Sequence, residues 1–166
     1  PDQSGDVSIN LNSVTTGGAT LGGNVTLSGN HLIYGKTTST DFNANGDIVK
    51  FGTGSTVQGE LCYLTSSGTW VAADADATGT AGGVLLAIAL GTDPDVDGML
   101  LRGMFTLDHD PGTIGDELYV SLTAGDITND VSAYTTGDIV RVVGYCLDST
   151  NGQIWFNPSN DFIELA

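Results

Sequence analysis

Residues 137–157 read GDIVRVVGYCLDSTNGQIWFN and contain the clearest fold signal of the chain. Two runs rich in β-branched and aromatic residues, 138–148 and 153–157, flank the dipeptide Asn151-Gly152. Asparagine followed by glycine between two such runs favours a tight turn, because glycine adopts positive φ at no steric cost. The stretch therefore predicts an antiparallel β-hairpin.

Short apolar runs between turn residues recur along the rest of the sequence. The chain has 24 Gly among 166 residues, and an interior Gly costs a helix about 1 kcal/mol relative to Ala, so a helix-rich fold is excluded. Hydrophobic residues make up 40% of the chain and charged residues 14%, which leaves enough apolar surface for a core. We predict an all-β fold, a compact β-barrel or sandwich. Beyond the hairpin, its predicted strands are 47–52, 59–65, 68–73, 83–91, 99–108, 116–122 and 161–165.

The charge balance excludes two classes of partner. The chain carries 20 acidic and 4 basic side chains, for a formal net charge of −16. This sign opposes binding to the phosphate backbone of a nucleic acid or to an anionic membrane surface. The longest apolar run, 84–90, is far shorter than the ~18 residues of a membrane-spanning helix, and it predicts a strand buried on both faces. The basic residues are scattered and form no stripe: they are Lys36, Lys50, Arg102 and Arg141.

Residues 1–56 differ in pattern from residues 57–166. In the first segment, strand-like pieces of a few residues alternate with Gly and Asn turns, as in 24–30 (NVTLSGN). One such ribbon has too little apolar surface to fold alone. We interpret residues 1–56 as a Gly/Asn/Thr-rich β ribbon or arm for attachment or oligomer interlock, with edge hairpins packed on the main domain as the alternative. Residues 57–166 are predicted to form the β-barrel or sandwich domain.

The sequence DPDVDG at residues 93–98 has the D-x-D-x-D-G spacing of a calcium-binding loop. Alternate carboxylates can converge on Ca²⁺ in such a loop, while the glycine makes the sharp turn. An EF-hand also needs flanking helices and a Glu at loop position twelve, which is Met104 in this chain. Asp93, Asp95 and Asp97 are therefore candidate ligands of a Ca²⁺ loop between strands. We favour the other interpretation, an acidic, solvated turn in a protein without a cofactor.

His109 lies between Asp108 and Asp110. Adjacent residues of a strand point to opposite faces, so at most one of the two carboxylates could orient the imidazole. The sequence contains no G-x-S-x-G elbow or comparable nucleophile motif. We therefore expect a protein without enzymatic activity and without catalytic residues. A hydrolase would require a cleft that holds His109 with a third group in hydrogen-bond range.

Cys62 and Cys146 each lie in the middle of a predicted strand, beside a tyrosine. Two cysteines do not define a disulfide framework, and a buried free cysteine behaves as a small apolar residue. We favour buried free thiols, and a disulfide across the core is the alternative.

The tryptophans and tyrosines also allow two interpretations. Aromatic residues are only 7% of the chain and most lie in strand patterns, which favours core packing. The alternative is a sugar-stacking face like that of a lectin. The residues concerned are Trp70, Trp155, Tyr34, Tyr63, Tyr119, Tyr134 and Tyr145.

A family resemblance is carried by 59–64 (GELCYL), 85–91 (LLAIALG), 98–103 (GMLLRG) and 137–146 (GDIVRVVGYC). On these stretches, residues 59–166 resemble a recurrent module of bacteriophage virion proteins, especially those of marine and cyanobacterial phages. The ribbon at 24–30 is similar to the shafts of phage fibres.

The resemblance implies a non-enzymatic structural protein on the exterior of a phage virion, as a capsid decoration, head fibre or tail fibre. Such proteins are β-rich trimers, so the implied partners are further copies of this chain and other virion proteins, such as the major capsid or tail protein. A host surface glycan is a further implied partner. The implied location is the virion exterior, after assembly in the host cytoplasm. The alternative function is a carbohydrate-binding module or adhesin, assisted by Ca²⁺ at residues 93–98.

Overall fold

Every regular element that the structure describes is a β-strand. The structure is a computed structural model, and it describes residues 34–166. The ribbon pattern at 24–30 and the rest of residues 1–33 lie outside the described residues. Residues 34–166 contain no helix that could cross a membrane. The predicted all-β class is confirmed.

Eleven strands lie in residues 34–166, and their positions follow the predicted apolar runs closely. They are β1 (Ala44–Val49), β2 (Leu61–Leu64), β3 (Trp70–Ala72), β4 (Leu86–Ala89), β5 (Met99–Thr106), β6 (Glu117–Val120), β7 (Ile127–Thr128), β8 (Ile139–Val140), β9 (Val142–Asp148), β10 (Gln153–Phe156) and β11 (Ile163–Glu164). Nine of them form one antiparallel sheet in the order β3-β2-β4-β5-β10-β9-β6-β7, with β1 paired to β5. β8 and β11 pair separately.

The predicted hairpin at residues 138–157 is confirmed. β9 and β10 pair antiparallel, and the connecting loop ends at Gly152, which has a φ of 67°. The Asp148 carboxylate organises this loop: it accepts hydrogen bonds from the backbone N–H groups of Thr150 (3.1 Å) and Asn151 (3.3 Å), and from the side-chain amide of Asn151 (3.0 Å). These bonds, led by the one from the Asn151 side chain, lower the pKa of Asp148.

β5 is the central strand, and one of its edges is shared by two other strands. β1 pairs with β5 along its length, from Ala44 opposite Phe105 to Val49 opposite Met99. β4 and β10 both pair with the opposite edge, β4 at residues 99–100 and β10 at residues 103–106. The register between β1 and β5 shifts between these two pairings: Asp47 is opposite Arg102, the next residue Ile48 is opposite Leu100, and Leu101 has no partner on β1. A fork therefore opens in the sheet where β4 and β10 diverge.

The sheet curls around an apolar core on its inner face. Three backbone hydrogen bonds connect the two ends of the sheet: Leu61 N–H to Gly125 O (2.7 Å), Gly125 N–H to Ala73 O (2.8 Å) and Ala75 N–H to Ser121 O (2.9 Å). This arrangement agrees with the predicted barrel or sandwich. The largest fully buried side chains of the inner face are Leu61, Leu86, Ile88, Leu100, Phe105, Leu118, Ile139, Ile154 and Phe156.

A second, smaller apolar cluster lies on the outer face, at one end of the sheet. It surrounds Trp70 and includes Cys62, Ala87, Ala89 and Met99. The segment at residues 51–54 covers it, and the Trp70 indole N–H donates a hydrogen bond of 2.7 Å to the carbonyl of Phe51. β4 contributes to both clusters and is buried on both faces, as its apolar run predicted.

Three features differ in detail from the sequence prediction. β1 spans Ala44–Val49, whereas the predicted strand was 47–52; the division of the chain between residues 56 and 57 stays a prediction. β7 was not predicted, because two residues carry no periodicity. The predicted strand at 138–148 is interrupted at Arg141, whose guanidinium bonds backbone carbonyls outside the sheet ladder.

Both cysteines are buried and free, as favoured from the sequence. Burial raises the pKa of the Cys62 thiol well above its usual range. The thiolate is the nucleophilic form of cysteine, so this residue is chemically inert near neutral pH. The interior cysteines therefore contribute packing rather than chemistry.

Candidate functional site

A row of side chains crosses five strands on the outer face of the sheet. Strand pairing places Glu117 opposite Tyr145, Tyr145 opposite Trp155, Trp155 opposite Met104, and Met104 opposite Asn45. Directly paired residues point to the same face of a sheet, with about 4.8 Å between neighbouring strands. These five residues, called the outer row below, therefore form a continuous strip about 19 Å long.

The outer row presents aromatic rings to solvent. Tyr145 is 42% exposed, and Trp155 is partly exposed. The Tyr34 ring lies beside Trp155, with 6.2 Å between ring centroids and an interplanar angle of 43°. Neighbouring rings of this kind can stack on flat apolar groups while their polar atoms remain hydrated.

At the β6 end of the outer row, the Tyr119 hydroxyl donates a 2.7 Å hydrogen bond to Glu117 Oε2. This bond is the main reason why the pKa of Tyr119 is raised to about 12. The hydroxyl and the carboxylate are thereby held in a fixed relative position next to Tyr145. The result is a defined polar rim at this end of the aromatic surface.

A second polar cluster lies at the other end, on β1 and β5. Arg102 Nη2 donates a 2.8 Å hydrogen bond to Asp47 Oδ2, and the Tyr34 hydroxyl donates to Asp47 Oδ1. The bond to Asp47 raises the pKa of Tyr34, and the bond to Tyr34, with the charge of Asp47, raises the pKa of Arg102. The cluster connects the aromatic surface to a groove.

This groove, called the fork groove below, occupies the gap between β4 and β10 and has a volume of about 630 Å³. Asp47 and Arg102 lie on the wall that faces the outer row. Residues 83–86 form another wall, and Asn157 and Asn160 line the groove after β10. Arg141 is also part of its lining, although only 3% of that residue is exposed.

Arg141 holds the two sides of the fork together. Its Nε donates to Ser159 O (2.8 Å), and its Nη1 donates to Ala81 O (2.6 Å) and Val84 O (2.8 Å). All three acceptors are neutral carbonyls, and none of the ion pairs within residues 34–166 includes Arg141. Burial lowers the pKa of this guanidinium, but arginine stays protonated in proteins, so the positive charge persists.

The candidate calcium loop at residues 93–98 uses its carboxylates locally. Asp97 Oδ2 accepts a hydrogen bond from the Asp93 N–H (3.0 Å), and Asp93 Oδ1 accepts one from the Asp95 N–H (3.2 Å). Within residues 34–166, no group of three His, Cys, Asp or Glu side chains is arranged to hold a metal ion. The Ca²⁺ role of Asp93, Asp95 and Asp97 stays a prediction.

His109 lines an open cavity of about 310 Å³ together with Glu60 and Asp126. Its Nδ1 lies 2.8 Å from Asp108 Oδ1, so one neighbouring carboxylate orients the ring, as the sequence allowed. In the described part of the chain, no third group joins this pair within hydrogen-bond distance. Glu60 Oε2 instead accepts a bond from the Val57 N–H (3.0 Å).

Comparison of the chain with protein-family models, with curated proteins and with solved structures finds no match in any of the three. The candidate site is therefore defined by its own geometry.

The sequence named the aromatic residues of this surface, but it did not identify the fork groove. Arg102 and Arg141 are far apart in the chain, and only the pairing of β4 and β10 with one edge of β5 brings them together. One local signal was available: Arg141 interrupts the apolar run Ile139-Val140-Arg141-Val142-Val143, which is an unusual place for a solvated cation.

Proposed function

We propose that this chain is a non-enzymatic structural protein on the exterior of a phage virion, which acts through oligomeric, trimeric β-packing. The sequence resemblance supports the class, and the all-β fold agrees with it. The capsid-decoration, head-fibre and tail-fibre roles all use such a module, and each requires association with copies of the chain and with other virion proteins.

The observation that carries this proposal is an exposed apolar surface at one end of the sheet. Gly98 leaves room for an Ile48 methyl group, since a Cβ there would lie 2.8 Å from it. Thr56 ties the segment at 51–57 to the loop before β5 through its Oγ1, which lies 2.7 Å from Gly91 O. Large apolar side chains that are exposed in one region of a protein favour association with a partner. The exposed apolar side chains of β1 and of these two segments, called the apolar end below, are Ile48 (44% exposed), Phe51 (57%), Val57 (66%) and Val96 (60%).

β1 offers a second route to association. Among the described residues it pairs with β5 only, so the opposite edge of Ala44–Val49 has no strand partner there. Unpaired strand edges readily accept a strand from another chain. β1 also borders the apolar end through Ile48, so one neighbouring copy could contact both features.

The test is the mass of the full chain in solution, measured by light scattering. We expect three times the monomer mass for the native chain. A Phe51→Asp/Val96→Asp double variant should shift toward the monomer, because burying two carboxylates in an apolar contact is strongly unfavourable.

Ile114→Asp is the matched control, because Ile114 is 67% exposed but follows the opposite end of β5. It should leave the mass unchanged. Circular dichroism checks that each variant remains folded. A native chain that is monomeric at every concentration would contradict the proposal.

A second candidate function, binding of a carbohydrate, is favoured by the outer row. Partly exposed aromatic rings with polar groups at both ends suit sugars, which combine an apolar ring face with hydroxyl edges. The row crosses β5 at Met104, five residues from Met99 at the loop end of the strand, which is about 16 Å along a strand. We therefore expect binding that does not depend on Ca²⁺ at residues 93–98. A glycan array probed with and without EGTA tests both statements.

A further inference from the structure

Both arginines of a strongly acidic chain line the same groove. The chain has four basic residues against 20 acidic ones, yet Arg102 and Arg141 both contribute to the fork groove. Asp47 is its only acidic lining residue among those that the structure describes, and it is already paired with Arg102. The groove is therefore a local positive site on a surface that otherwise repels anions.

Arg141 has unused capacity for an anion. Its Nε and Nη1 hydrogen atoms are directed to backbone carbonyls, which leaves Nη2 without a protein acceptor in the described part of the chain. A guanidinium that is buried and bonded only to neutral oxygens has lost most of its hydration and gained no counter-charge. A carboxylate that entered the groove would supply that charge through strong, charge-assisted hydrogen bonds.

The groove and the aromatic surface are continuous. Asp47 and Arg102 line the groove, and Asp47 also accepts the hydrogen bond of Tyr34, whose ring lies beside Trp155. A ligand with one end in the groove could therefore lay its next rings along the outer row. Asn157 and Asn160 line the same groove, and an asparagine amide can bond hydroxyl groups, since it both donates and accepts.

We propose that the fork groove binds the carboxylate of an acidic sugar, such as a sialic or uronic acid, while the outer row stacks the sugar rings that follow it. The proposal rests on the carbohydrate-binding candidate and adds the class of carbohydrate. A carboxylate fits better than a compact anion, because its two coplanar oxygens match the planar N–H groups of a guanidinium. An acidic sugar combines this group with ring faces suited to Tyr34, Trp155 and Tyr145.

The two tryptophans provide a direct reporter. Trp155 is partly exposed on the outer row, whereas Trp70 is only 2% exposed and belongs to the covered cluster. A ligand stacked on the row changes the emission of Trp155 and leaves that of Trp70 constant. The full chain is titrated with two matched pairs of probes, 3′-sialyllactose against lactose and cellobiouronic acid against cellobiose.

We expect at least one acidic probe to bind about tenfold or more tightly than its neutral counterpart, which is the effect of a hydrogen bond to a charged group. Arg102→Gln should narrow the difference in affinity between the acidic and the neutral probe, because it removes one of the two cations that line the groove. Lys50→Gln removes the same charge from an exposed side chain outside the groove lining and should leave the affinity unchanged. Arg141→Gln is a further variant, but it changes a buried residue and can therefore disturb the fold. Arg102→Gln decides the test, because it changes only an exposed ion pair.

The other outcomes are distinct. Equal affinity for acidic and neutral probes would overturn the carboxylate proposal and leave carbohydrate binding intact. Loss of affinity in Lys50→Gln equal to that in Arg102→Gln would show a general charge effect and would also overturn it. Absence of any response to all four probes would overturn both proposals. A Trp155 emission that changes with protein concentration alone would assign the outer row to a second copy of the chain instead.

Discussion

The two tryptophans occupy the same outer face of the sheet and have opposite environments. Trp70 lies under the segment at residues 51–54 and packs with Cys62 and Met99. Trp155 lies further along the face, where its neighbour is Tyr34 and the surface is open. Trp70 begins β3 and Trp155 is the third residue of β10, and the sequence pattern placed both in predicted strands.

The covering segment, and not the strand, therefore decides whether an aromatic residue is buried or exposed. Where residues 51–54 cross the sheet, the aromatic becomes part of a core. Where no described segment crosses it, the aromatic lines a surface that can bind a ligand.

Truncation of the two tryptophans should separate stability from binding. Trp70→Ala should lower the free energy of unfolding by about 3–5 kcal/mol, because it leaves a cavity in a closed cluster. Trp155→Ala should lower it by about 1 kcal/mol or less, because its partly exposed ring leaves no enclosed cavity. Urea denaturation followed by circular dichroism measures both values. Equal losses would show that Trp155 is also part of a core.

The cover over Trp70 can be disturbed without changing the tryptophan. Gly52 has a φ of 94°, and a Cβ there would lie 2.7 Å from Trp70 Nε1. Gly52→Ala should lower the free energy of unfolding by about 2–3 kcal/mol, from the left-handed backbone and the clash together. It should also shift the emission of Trp70 to longer wavelength.

Gly68 provides the control for this substitution. Its φ is 79°, and no atom lies within 4 Å of the position that its Cβ would take. Gly68→Ala should cost only the backbone contribution of about 1 kcal/mol and leave the emission unchanged. A Gly52→Ala variant no less stable than Gly68→Ala would argue against a tightly packed cover.

The smallest effect concerns the polar rim of the outer row. Glu117→Gln should lower the pKa of Tyr119 from about 12 toward 10.0, because the carboxylate that holds the phenol proton is removed. In the native chain, the folded-state pKa lies above the unfolded value. The resulting stability is present below pH 10.0 and is lost as pH rises through about 12.

An ultraviolet titration of tyrosine ionisation measures this change. Tyr134 is the internal control, because burial rather than Glu117 raises its pKa to about 12. If the transition of Tyr119 did not move in Glu117→Gln, the hydrogen bond would not be its cause.

Strand positions were predictable from the sequence because they depend on local pattern. The β9–β10 hairpin follows from its own residues, and β4 was recognised as buried on both faces from an unbroken apolar run. The fork in the sheet was not predictable, because it depends on which edge of β5 receives β4 and β10. Those partners lie about 10 and 50 residues away from β5 in the chain, and no short-range signal specifies the choice.

The candidate site was predictable only in its parts. The sequence named Trp155, Tyr34, Tyr119 and Tyr145 as aromatic candidates, but their common face required the register of four strand pairs. Arg102 and Arg141 appeared scattered because their proximity is a property of the fork. The opposite holds for Asp93, Asp95 and Asp97, which share a motif in the sequence, while two of their carboxylates bond backbone N–H groups of the loop itself.

The strands that pair with β5 come from distant parts of the chain, and this constrains how the molecule folds. Its three partners begin at residues 44, 86 and 153, so the central strand stays incomplete until a ribosome has released the last of these segments. Pairings between distant residues form slowly, since loop-closure entropy must be overcome before the contacts stabilise the chain. Until residues 153–156 have emerged, the nascent chain leaves one edge of β5 at residues 103–106 unpaired, and an unpaired edge is open to a strand of another chain.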